Sequence, residues 1–74
     1  MTTVEVKNYI ESLNSHLTFK LDNKNCGIDP FSRDNFEMWC GEDMMIAKSI
    51  DEVMNTAFFN GKTLNEIVDI VEFD

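Results

Sequence analysis

Val6, Ile10, Leu13 and Leu17 recur at spacings of four, three and four, which puts them on one face of an α-helix, with Tyr9 at the border. Thr2 followed by Glu5 has the spacing of a capping box, and Asn14-Ser15 supplies a stop, so a first helix is expected from Thr3 to Asn14. The period then changes. Leu17, Phe19 and Leu21 alternate with Thr18, Lys20 and Asp22, the pattern of a strand with one buried face. Residues 23–34 hold the chain's one Pro and sustain no period; they read as a long connection in which Cys26 to Ile28 pair at most briefly as an edge.

Phe36, Met38 and Cys40 alternate with Glu37 and Trp39 in a second strand, and Met44 to Lys48 form a third. Gly41-Glu42-Asp43 between them is short and offers a Gly for a positive φ, so a hairpin is predicted. Ser49 with Glu52 has capping-box spacing, and Ile50, Val53, Met54, Ala57 and Phe58 share a side of the helix that follows, which Asn60-Gly61 ends. Thr63 with Glu66 repeats the box ahead of Leu64, Ile67, Val68 and Val71. Ile70 to Phe73 fit either an extension of that helix or a terminal strand. The order α-β-β-β-α-α predicts an α+β fold, a three-stranded antiparallel sheet with helices on one face, and leaves Thr18, Lys20, Glu37 and Trp39 on the other.

Seventy-four residues make one domain, 1–74, because separate cores need roughly 50 residues each. A hydrophobic fraction of 43% is that of a folding chain. A chain this short buries only about 60% of its unfolded surface, which makes a homodimer an open possibility. No apolar run reaches the roughly 18 residues of a membrane span, and Met1-Thr2-Thr3-Val4-Glu5 lacks a basic segment leading into an apolar one; a cytoplasmic location away from membranes is the expectation. In that compartment Cys26 and Cys40 are expected as two reduced thiols, with a single disulfide as the alternative.

The net charge is −8 and it is unevenly placed. Residues 37–74 carry nine acids and two bases, against five acids and four bases in residues 1–36. Such a surface repels phosphate backbones and cannot release many counterions, so direct nucleic-acid binding is disfavoured and a protein partner with a basic surface is favoured.

Motifs that would carry catalysis or metal binding break down on spacing. Gly61-Lys62-Thr63 matches the end of a phosphate-binding loop, but Thr56 stands where the first Gly is needed. A calcium loop starting at Asp22 would place Lys24, Cys26 and Arg33 at ligand positions. Neither Cys lies in a C-x-x-C and the one His, His16, is far from both, so zinc lacks ligands. Cys40 reads as a small core residue with no base beside it, and His16 as a surface residue at a helix end. Glu42-Asp43 and Asp51-Glu52 are acids of the kind turns and first helical turns carry. Neither an enzyme nor a cofactor site is predicted.

Two features point to a partner. Trp39 alternates away from Phe36 and Met38, either as a contact residue beside Glu37 or beneath a second layer formed by the connection carrying Phe31. The acids Glu37, Glu42, Asp43, Asp51, Glu52, Glu66, Asp69, Glu72 and Asp74 form the other feature, as a binding face or simply as solubilising charge. The segment Phe58-Phe59-Asn60-Gly61-Lys62-Thr63-Leu64-Asn65-Glu66-Ile67, the acidic hairpin Phe36 to Lys48 and the small size together resemble short acidic proteins of Firmicutes and their phages, among them inhibitors of host nucleases of the anti-CRISPR kind. The leading expectation is a protein-binding module of phage type whose carboxylates mimic nucleic-acid charge and occupy a basic groove of a nucleic-acid-handling protein. Its expected partner-binding residues, Glu37, Trp39, Glu42, Asp43, Asp51 and Glu52, follow from the charge and the alternation above, and the resemblance carries over none of them. A housekeeping interaction or scaffold domain, in homodimeric form or not, is the alternative.

Overall fold

The computed structural model describes residues 1–13 and 15–73 and has the order α-β-β-β-β-α-α. Helix α1 spans Thr3–Glu11, and its capping box closes as the sequence predicts: Thr2 accepts from the Glu5 N–H while Glu5 accepts from the Thr2 N–H at 2.9 Å. Val6 and Ile10 are its buried residues. The helix stops at Glu11, short of the predicted end, because Leu13 takes a left-handed φ of 58°; Asn14 lies outside the described residues.

Strands β1 (Leu17–Leu21), β2 (Lys24–Ser32), β3 (Asn35–Cys40) and β4 (Asp43–Ala47) form one antiparallel sheet in the order β1-β2-β3-β4. The three-stranded expectation is thereby corrected: the segment read as a long connection is a central strand. Pro30 does not break it, because β1 pairs only as far as Ile28 and the missing N–H falls where the neighbouring strand has ended. A register shift between Pro30 and Ser32 then leads into the turn to β3. The β1–β2 turn uses Asp22 (φ 51°) and Asn23 (φ 65°), the pair of positive φ values that matches the twist of a two-residue hairpin. The predicted β3–β4 hairpin is present, with Gly41 at φ 62°.

Helix α2 (Ile50–Asn55) is capped by the Ser49 hydroxyl, but only half of the predicted box forms: the Glu52 carboxylate accepts from the Lys48 N–H at 3.2 Å instead of from Ser49. It ends at Asn55, since Thr56 is extended, so Ala57 and Phe58 leave the helix they were assigned to and Ala57 is exposed. Asn60-Gly61 is likewise not a helix end. With φ 54° and 80° the two residues form a tight turn, across which Phe59 and Lys62 exchange both backbone hydrogen bonds at 3.0 Å. This turn drives Phe59 into the core, where it is fully buried.

Helix α3 (Leu64–Ile67) has the complete Thr63/Glu66 box. The tail resolves the helix-or-strand question in neither direction: turns follow Ile67, and Phe73 makes one bridge to Phe19 along the outer edge of β1. Phe19 centres an aromatic group, with ring centroids 5.3 Å from Phe59 and 5.4 Å from Phe73. All three helices contribute to a single core cluster with the inward sheet residues, so the helices share one face of the sheet.

Cys26 and Cys40 sit opposite each other on β2 and β3 and are joined as a disulfide, Cα–Cα 4.0 Å, which corrects the expectation of two reduced thiols. The ladder explains the proximity. The Gly41 N–H donates to the Asn25 carbonyl at 2.9 Å, which makes Asn25 and Gly41 a bonded pair and Cys26 and Cys40 the closer, non-hydrogen-bonded pair beside it.

Candidate functional site

Alternation along β3 and β4 sends Phe36, Met38, Cys40, Met45 and Ala47 toward the helices, and Glu37, Trp39, Met44 and Ile46 to the opposite side. With the helices on the other face, this side of the sheet is open. Trp39 is half-buried on it, and Phe31, the residue expected to cover it, is itself 62% exposed. The floor is Gly27, directly opposite on β2. A Cβ placed there would lie 2.8 Å from the Trp39 Cε2 and closer still to Cζ2, and 2.6 Å from the Leu17 carbonyl oxygen. The indole therefore lies against the backbone of the central strand and keeps its other side outward.

Met44 faces Trp39 across β3–β4, at one of the pairs where side chains approach most closely, and Ile46 faces Glu37. Met44 is 60% and Ile46 37% exposed, so Trp39, Met44 and Ile46 form an apolar strip. On its other flank Glu37 is opposite Asp29 of β2, and both are half-buried. Like charges set directly across an antiparallel pair are unfavourable unless a cation lies between them.

The remaining predicted contact acids do not gather in one place. Glu42 and Asp43 stand at the start of β4, and Asp51 and Glu52 beyond its end on the first turn of α2, with roughly 13 Å of strand between the two groups. Glu52 is engaged at Lys48; Asp51, Glu42 and Asp43 are exposed. Of the wider acidic series, Glu66 is taken up in its capping box and Asp74 lies outside the described residues. The structure thus brings Trp39 and Glu37 together on one face and splits the other four acids between the ends of β4.

No protein-family model, curated protein or solved structure matches the chain.

A hollow of about 260 Å³ between the end of α1, the β2–β3 turn and the start of α2 is lined by Glu11, Leu13, Arg33, Phe36, Ser49 and Ile50, none of them a predicted contact residue. No group of three or more His, Cys, Asp or Glu is placed to hold a metal ion among the described residues, and no described helix is long and apolar enough to cross a membrane. Sequence reasoning missed Gly27, Asp29, Met44 and Ile46 as parts of the open face. Met44 and Ile46 are legible in the sequence, since they alternate in an identifiable strand; Gly27 and Asp29 are not, because residues 23–34 sustain no period.

Proposed function

We propose that the protein is a protein-binding module whose working surface is the open sheet face, and that its partner presents a basic side chain beside apolar ones. The observation that supports this is the juxtaposition on one uncovered face of the Trp39–Met44–Ile46 strip with the opposed carboxylates Glu37 and Asp29. A Lys or Arg could lay its methylene stem on the apolar strip and its charge between the acids. Glu42, Asp43, Asp51 and Glu52 flank that surface and would steer a basic partner toward it at low salt.

Selection of peptides from a displayed library tests this, since Trp39 is the one Trp and its emission reports contact. Enriched peptides should place Lys or Arg next to an apolar residue, shift the emission on binding, and lose affinity about tenfold with Glu37→Gln, in line with loss of a charge-assisted contact. Selected peptides without basic residues, or binding that leaves the emission unchanged, would sink the reading. The narrower form, a phage-type inhibitor that occupies a basic groove of a nucleic-acid-handling protein, rests on the chain's resemblance and on its acid excess. Reversing Glu42, Asp43, Asp51 and Glu52 together should abolish such inhibition; undiminished inhibition would reject it.

A further inference from the structure

We propose that β4 pairs with β4 of a second copy, antiparallel about a two-fold axis through Met45, so that the four-stranded sheet is doubled across its open edge. Three observations lead there, and none depends on the binding role proposed above.

The first is which edge is open. β1 and β4 terminate the sheet, but Phe73 bridges to Phe19 and covers part of the β1 edge, whereas among the described residues no segment pairs with the outer side of β4.

The second is the phase of its backbone. Because Asn25 and Gly41 are a bonded pair, Trp39 and Glu37 bond toward β2, and Phe36, Met38 and Cys40 bond toward β4. Their partners Ala47, Met45 and Asp43 turn their N–H and C=O inward, which leaves those of Met44 and Ile46 pointing out of the sheet. Edges are ordinarily blunted by Pro, a bulge or a central charge, and Met44-Met45-Ile46 has none of these.

The third is self-complementarity. Pairing centred on Met45 sets Met44 against Ile46, Asp43 against Ala47 and Glu42 against Lys48, in both halves by symmetry. Each Met44–Ile46 pair can exchange both of its backbone bonds, and apolar side chains meet apolar ones on the outer face. Centring on Met44 would instead face Glu42 with Ile46, and centring on Ile46 would face Met44 with Lys48. The charges therefore choose the register. The ladder stops there, because the Lys48 N–H is already bonded to Glu52. With the other edge of the sheet covered at Phe73, growth ends at two copies.

The net charge of −8 per copy opposes association at long range, so the dimer should strengthen with salt, as screening shortens from about 10 Å at 0.1 M to about 3 Å at 1 M. Sedimentation equilibrium across protein and salt concentrations should show a reversible monomer–dimer equilibrium. Met44→Pro removes an outward N–H that the monomer's own ladder does not use and should abolish the dimer with the fold intact by circular dichroism. If that variant fails to fold, Met44→Lys serves the same purpose. Lys48→Glu should weaken association about tenfold by turning both end pairs repulsive, and adding Glu42→Lys should restore it. Met45→Cys should yield a covalent dimer on oxidation, since the axis brings the two copies of that position together. A chain that stays monomeric at all salts, assemblies beyond the dimer, a dimer indifferent to Met44 substitution, or failure of the charge swap to restore association would each overturn the proposal.

Discussion

Trp39 shows how far alternation alone reaches at the scale of one residue. Period two places its side chain away from Phe36 and Met38, and the structure agrees, but its half-burial depends on Gly27 across the ladder, which alternation within one strand cannot show. Gly27 is needed for close approach and not for a special φ. Gly27→Ala should force the indole off the sheet and press on the Leu17 carbonyl, and a destabilisation of about 1–3 kcal/mol is expected, the usual cost of overpacking. Thermal melts give the size of the effect, and a red shift of Trp39 emission shows its cause. A variant that melts like the parent with unchanged emission would mean that the ring does not rest there. Cys26 was illegible for a related reason. Cys40 had an inward address on a recognised strand, but without β2 its partner had none.

At the scale of elements, what was legible follows how local the determining interactions are. The capping signals of α1 and α3 act within three residues and are realised in full. The end of α2 departs from the sequence pattern because Ala57 and Phe58 continue a helical period while the Asn60-Gly61 turn, which needs Phe59 and Lys62 to pair across it, takes the chain elsewhere. β2 is hidden in the sequence because Gly27 and Pro30, both poor strand residues in isolation, are tolerated by a neighbouring ring and by the early end of β1.

The two complete caps also carry a pH dependence. Glu5 and Glu66 are each held below the ordinary glutamate range, chiefly by accepting the backbone N–H of Thr2 and of Thr63. A carboxylate whose pKa is lower folded than unfolded contributes stability that is complete above the unfolded value, about 4.3, and is lost as pH falls through the folded one. Glu66→Gln keeps the geometry of the box and removes its titration, so its stability should fall less than the parent's between about pH 5 and 3. Chemical denaturation at stepped pH measures this. Parallel curves for parent and variant would show that the cap does not contribute to the acid limb.

For the whole molecule, the disulfide and the small core act on the same balance. The core is one cluster to which each helix adds a few residues, and a domain of this size has a modest margin, so a cross-link between its two central strands matters more than it would in a larger protein. The cysteines are 14 residues apart, and closing a loop of that size in the unfolded chain is worth about 3 kcal/mol in the chain-entropy model. In a domain of this length that corresponds to a melting temperature about 15 °C lower after reduction, or in a Cys26→Ala/Cys40→Ala variant. Reduction itself should be slow under native conditions, because Cys26 is fully buried and Cys40 is 3% exposed, and a reductant must wait for the sheet to open. Thiol release timed at increasing reductant concentration should therefore level off at the opening rate, and a low concentration of denaturant should raise that ceiling. A release rate that stays proportional to reductant, with no plateau, would mean that the sulfurs are reached without opening the sheet.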